Sequence, residues 1–173
     1  MRVTFLFLAI SIAGLSSCIE YDPNYGQAPS QAKAPDIAFV GDPQLTFRDT
    51  VYIPIYSDIY SETKDVKFNL TATLSIRNTS FQDTIYVSDI DYYDSEGELI
   101  RHYLDSTLLL RPMQSVDYVI EEDDTQGGTG PNFIVNWGAN NQKLKPIFQG
   151  VMISTHGQQG ISFLTNGLSI SKQ

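Results

Sequence analysis

The chain has 173 residues, a hydrophobic fraction of 42% and a formal net charge of −9. That length suits one domain with some chain to spare, and the apolar content supports a real core, which excludes a disordered protein. The acidic balance excludes nucleic acid as a partner, because phosphates must be met by Lys and Arg, and it argues against electrostatic attraction to an anionic membrane surface. A single cysteine, Cys18, excludes an internal disulfide and a cysteine-based zinc site.

At the N-terminus, Arg2 precedes an apolar run from Val3 to Ile12 broken only by Thr4 and Ser11, and small residues follow. The run is too short for a mature membrane-spanning helix and reads as a secretion signal over residues 1–17. Leu15-Ser16-Ser17-Cys18 resembles the lipobox of bacterial lipoproteins: an aliphatic residue, two small residues, then a cysteine that is lipidated on its thiol and becomes the new N-terminus. The resemblance implies a lipid anchor on Cys18, attachment to a membrane and a place in the cell envelope. Ile19 stands where an inner-membrane retention Asp would, which implies the outer membrane. Each buried methylene adds about 0.8 kcal/mol of membrane affinity, so two or more acyl chains hold firmly. Residues 18–44 carry Pro23, Pro29, Pro35 and Pro43 with Gly26 and Gly41 and no apolar period, a linker composition. Within that stretch, Ile37–Val40 fits either a short first strand or an apolar segment packed on the domain edge.

Residues 45–173 read as one domain made of strands. Thr50–Tyr56 is strand-like, and Pro54 within it removes a ladder donor, which predicts an edge or a bend. Asp65–Asn78 alternates apolar (Val66, Phe68, Leu70, Ala72, Leu74, Ile76) with polar residues, which predicts one long, central strand buried on one face. Asn78-Thr79-Ser80 turns the chain. Thr84–Tyr93 and Glu98–Leu104 flank Asp94-Ser95-Glu96-Gly97, whose Asp and Gly fit a type I turn with a bulged glycine, hence a hairpin. Thr107–Leu110, Ser115–Glu121, Asn132–Trp137, Pro146–Thr155 and Ile161–Ile170 supply further strands, and no stretch shows a helical apolar stripe. Many short strands with turn signals at this spacing predict an all-β antiparallel sandwich, immunoglobulin-like.

The most unusual segment is Glu121-Glu122-Asp123-Asp124 ahead of Gly127-Gly128-Thr129-Gly130. Clustered carboxylates on a flexible loop suit Ca²⁺, which makes these four the candidate metal ligands, although the spacing is not that of an EF-hand; the plainer alternative is a solvated acidic loop. Residues Asp83–Asp124 hold twelve acids and two bases, Arg101 and Arg111. If those strands are neighbours they form one acidic face, suited to a basic partner or to cations bridging polysaccharide, or serving only solubility. Asp89 and Asp91 share a strand face, but i, i+2 neighbours do not make the facing carboxylate pair of a glycosidase. His102 and His156 are the only histidines, and Ser154 near His156 lacks a nucleophile elbow. Tyr52, Tyr56 and Tyr60, with Tyr92 and Tyr93, fit either sugar stacking or half-buried strand positions. Asp49-Thr50-Val51 and Asp83-Thr84-Ile85 resemble a bacterial O-glycosylation signal.

Five stretches, Val51–Tyr60 (VYIPIYSDIY), Phe68–Asn78 (FNLTATLSIRN), Asp91–Leu99 (DYYDSEGEL), Glu121–Phe133 (EEDDTQGGTGPNF) and Val151–Phe163 (VMISTHGQQGISF), resemble an uncharacterised bacterial family, domain of unknown function 3124. The resemblance runs from about Thr50 to the C-terminus. It implies a secreted or lipidated bacterial context and assigns no chemistry. Taken together, the expectation is a bacterial cell-envelope lipoprotein with a non-enzymatic binding or scaffolding sandwich, whose partner is an envelope protein or polysaccharide. The alternatives are a carbohydrate-binding module or a cation-dependent hydrolase using the acidic segment.

Overall fold

The computed structural model describes residues 37–156 and 159–170, and the side chain of His156 lies outside it. The expected signal peptide, Cys18 and the linker as far as residue 36 fall outside the described residues. Among those residues the chain forms strands and no helix.

The strands in chain order are β1 (Ala38–Val40), β2 (Phe47–Pro54), β3 (Asp58–Ser61), β4 (Val66–Asn69), β5 (Thr71–Arg77), β6 (Ile85–Tyr93), β7 (Leu99–His102), β8 (Thr107–Leu110), β9 (Ser115–Ile120), β10 (Asn132–Ala139), β11 (Ile147–His156), β12 (Gln159–Asn166) and β13 (Leu168–Ser169). A seven-stranded sheet runs β1-β8-β6-β10-β2-β13, with β7 also on β6; a four-stranded sheet runs β12-β11-β5-β9; β3 and β4 form a separate ribbon. The pairings between these strands are antiparallel. The protein is an all-β antiparallel sandwich.

The two sheets close on one core. Ile53, Ile85, Ile90, Leu108, Phe133 and Val135 from the large sheet and Ala72, Leu74, Ile76, Ile120 and Met152 from the small one are fully buried. Alternation produces this: in β2, Val51 and Ile53 point inward while Thr50 and Tyr52 point out, and in β10 Phe133, Val135 and Trp137 are the buried partners of an outward Ile134 and Asn136. Burying each large side chain contributes about 1.5–3 kcal/mol before conformational entropy is subtracted.

Two expectations change. The single long strand over Asp65–Asn78 is two strands, β4 and β5, in different sheets. The break falls at Leu70, whose N–H donates to the carbonyl of Ser57 at 2.8 Å instead of joining a ladder. Val66 is 45% exposed, whereas Leu70, Ala72, Leu74 and Ile76 are fully buried, so only the second half of the alternation faces the core. Of the two readings of Ile37–Val40, the short first strand is the one that forms: β1 pairs with Thr107–Leu109 of β8 and extends the large sheet. Finally, the acidic residues of Asp83–Asp124 do not share one face: Asp89 and Asp91 belong to β6 of the large sheet and Asp117 to β9 of the small one.

Other local expectations match the geometry. Pro54 ends β2, where no further ladder bond is asked of it. Gly97 has φ of 85°, Gly97 N–H donates to Asp94 O at 3.2 Å, and Asp94 Oδ1 accepts from the N–H of Glu96 and Glu98, which closes the β6–β7 hairpin.

Candidate functional site

Strands β2, β10 and β6 lie side by side, and their outward side chains fall into rows across the large sheet. One row is Thr50, Asn136, Asp89; the next is Tyr52, Ile134, Asp91, His102. Between Asn136 and Trp137 the β6–β10 register slips by one, leaving Ser88 as the extra residue of a bulge. Bulges bend a strand and re-aim its side chains. Here the result is a shallow cleft of about 280 Å³ lined by Arg48, Asp49, Thr50, Ser88, Asp89, Asn136 and Trp137.

The polar groups of the cleft are hydrogen-bonded to one another across three strands. Thr50 Oγ1 donates to Asn136 Oδ1 at 2.7 Å, Asn136 Nδ2 donates to Asp89 Oδ2 at 3.2 Å, and Ser88 Oγ donates to the same oxygen at 2.8 Å. Asp49 Oδ1 accepts from Thr50 N–H and from Ser169 Oγ of β13. Arg48 Nη2 leans outward to Asp42 Oδ1 at 3.0 Å and the Pro43 carbonyl at 3.1 Å. Behind the cleft, Trp137 packs edge-on against Phe47, and its buried Nε1 has no hydrogen-bond partner. In the adjacent row His102 Nδ1 lies 2.5 Å from Asp91 Oδ1. That hydrogen bond is the main reason the His102 pKa lies above the ordinary histidine value.

The four candidate metal ligands lie elsewhere and are not drawn together. Asp124 Oδ2 accepts from Arg101 Nη2 at 2.8 Å, and Glu122 Oε1 accepts from Ser154 Oγ of β11 at 3.3 Å. Glu121, Glu122 and Asp123 are exposed. Among the described residues, no three or more His, Cys, Asp or Glu side chains form a group able to hold a metal ion.

The glycine-rich segment is a clasp. Ser95 N–H and Oγ both donate to the Gly127 carbonyl, and Gly130 N–H donates to Ser95 Oγ. Thr129 Oγ1 donates to Asp58 Oδ1 at 2.6 Å, and Lys67 Nζ donates to Asp58 Oδ2 at 3.1 Å and to Thr129 Oγ1 at 2.8 Å. Asp58 is a nearly buried carboxylate, 6% exposed, and this ion pair is what makes its burial tolerable. Arg101 also bonds Tyr103 and lies over the rings of Tyr92 and Tyr103; the bond to Asp124, then that to Tyr103, raises its pKa further. Burial raises the pKa of Tyr92, against the opposing hydrogen bond between its hydroxyl and that of Ser57 at 3.1 Å.

The other singled-out residues are dispersed. Tyr92 is in the core, Tyr52 and Tyr93 are on the outer face of the large sheet, Tyr56 stacks edge-on with Phe163, and Tyr60 lies under Lys67, so the five make no single platform. Ser154 is bonded to Glu122, and His102 to Asp91 on the other sheet. Ser88, Asn136 and Asp58 carry no signal of their own in the sequence, and Thr50 stands out there only within the glycosylation-like Asp49-Thr50-Val51. One signal for the cleft was present: inward residues in β6 step Ile85, Val87, Ile90, Tyr92, and the three-residue step marks the bulge.

The model of a family described as a protein of unknown function, DUF3124, matches residues 48–170. The chain belongs to this family. The DUF3124 match starts inside β2 and ends just past β13, so both the cleft and the clasp fall within it. No curated protein matches the chain. A solved structure titled "Crystal Structure of Thermotoga maritima 1070" is similar over 69% of this chain and 92% of its own, at 12% identity and a TM-score of 0.39.

Proposed function

We propose that this DUF3124 protein is a lipid-anchored component of the bacterial cell envelope, held at the outer membrane through Cys18, and that its sandwich binds a partner or ligand on the outer face of the large sheet without catalysing a reaction. The observation that carries the binding half is the line of hydrogen bonds Thr50–Asn136–Asp89–Ser88 along the cleft. It fixes donors and acceptors in place beforehand, so little conformational freedom is lost on binding. Binding is favoured over catalysis because the hydroxyls in the lining, Thr50 and Ser88, face an amide oxygen and a carboxylate rather than an imidazole. Leu15-Ser16-Ser17-Cys18 carries the anchoring half.

The anchor is tested by growing cells with a fatty acid bearing an alkyne tag. The full chain should take up label and sediment with membranes, and Cys18→Ser should do neither. Labelling that persists in Cys18→Ser would overturn the anchor.

A further inference from the structure

The large-sheet cleft has a chemistry that narrows its ligand, an inference that rests on the binding reading above. We propose that it binds a neutral, polyhydroxylated ligand, a saccharide. Three other classes fit poorly. Anions meet Asp49 and Asp89 in the lining and Asp91 in the next row, and the lining's cation, Arg48, is already paired with Asp42. A bare metal ion needs several converging oxygens, whereas Asp89 Oδ2 already accepts from both Ser88 and Asn136. An apolar ligand would strip water from a lining composed mainly of charged and polar side chains.

A sugar offers adjacent hydroxyls, each able to donate and accept. The planar carboxylate of Asp89 and the planar amide of Asn136 lie side by side, joined at 3.2 Å, and present an acceptor and a donor to such a pair of hydroxyls. A hydrogen bond to the charged Asp89 is stronger than a neutral one. The volume, about 280 Å³, is just below the range of small-molecule clefts, about 300–1,000 Å³, and suits one or two sugar units in an open groove. On the same outer face, Tyr52 stands two residues from Thr50 and Tyr86 pairs with Gly138 on β10, so an aromatic residue stands in the row on either side of the polar row, outside the cleft lining itself.

The test uses the full chain in detergent micelles, an array of neutral oligosaccharides, and calorimetry with the best binder. Asp89→Ala and Asn136→Ala should each weaken binding about tenfold or more. Asp117→Ala, on the other sheet, should leave it unchanged, and thermal unfolding verifies that each variant folds. Should Asp89→Ala fail to fold, Asp89→Asn keeps the shape while replacing one acceptor by a donor, and it should weaken binding as well. Absence of any neutral glycan ligand, or glycan binding indifferent to both Asp89 and Asn136, overturns the proposal. A basic peptide or amine captured through the same residues overturns the saccharide class and leaves the binding reading standing. No ligand of any class at this face overturns both.

Discussion

At Gly127 a single missing Cβ decides the packing of the clasp. A Cβ there would collide with the Tyr92 hydroxyl and lie 2.8 Å from Pro131 Cβ. Gly127→Ala should therefore cost about 1–3 kcal/mol, a drop in Tm of about 2–4 °C per kcal/mol. In a Tyr92→Phe background, which lacks the colliding hydroxyl, the same substitution should cost less; equal costs by thermal unfolding in the two backgrounds would refute the collision. His102 gives a second test at this scale. Its pKa is raised, chiefly by the bond to Asp91, so folding favours the imidazolium. Its contribution to stability is then fully present below the unfolded value of about 6.5 and is lost as pH rises through the higher folded value. An NMR titration of the ring protons should give a midpoint above 6.5 that falls in Asp91→Asn. A midpoint unmoved by that change would remove Asp91 as the cause.

At the scale of elements, β5 is an inner strand of the small sheet, paired with β11 on one side and β9 on the other. Leu74 is fully buried, whereas Thr73 points outward between Val151 and Val119. Leu74→Asp should abolish cooperative unfolding, because a carboxylate there would have no partner in the core. Thr73→Asp should unfold cooperatively with a small loss, and circular dichroism melts of the two variants distinguish these outcomes. The same segment shows what a sequence can reveal. From Leu70 to Ile76 the apolar members of the alternation all face the core, whereas from Val66 to Asn69 the same rhythm runs along a ribbon paired with β3, where Val66 is exposed. Which sheet a strand joins depends on partners distant in sequence, such as Ser57 for Leu70 and Val119 for Thr73, and local periodicity carries no trace of them. The hairpin at Asp94–Gly97 was legible because turn chemistry is local. Of the cleft only the three-residue step in β6 left a local trace, since Thr50, Asp89 and Asn136 come from three strands that only the tertiary fold makes neighbours, and each alone resembles an outward residue.

Across the whole molecule, the segment from Glu121 to Pro131 leads from β9 of the small sheet to β10 of the large one. A connection of that length would open readily unless held. It is held near its start by Arg101 on Asp124 and near its end by the group of Lys67, Asp58 and Thr129, with Ser95 between them. Beneath it, Tyr92 is fully buried and its ring lies 5.2 Å from that of Phe133. The Arg101 and Lys67 side chains are each 38% exposed, so solvent weakens both ion pairs, and neither alone is strong. Their value lies in acting on one segment. With either pin intact, the segment stays docked and Tyr92 stays dry; with both gone, it can lift and let water reach the aromatic core. Lys67→Ala should cost about 1–2 kcal/mol, because it leaves the Asp58 carboxylate short of a partner, and Arg101→Ala about 0.5–1 kcal/mol. The double variant should lose more than the sum, by at least about 0.5 kcal/mol, as expected for residues coupled through a shared backbone segment. Urea unfolding of the four proteins measures this directly. Simple additivity would mean that the two pins hold separate structures rather than one clasp.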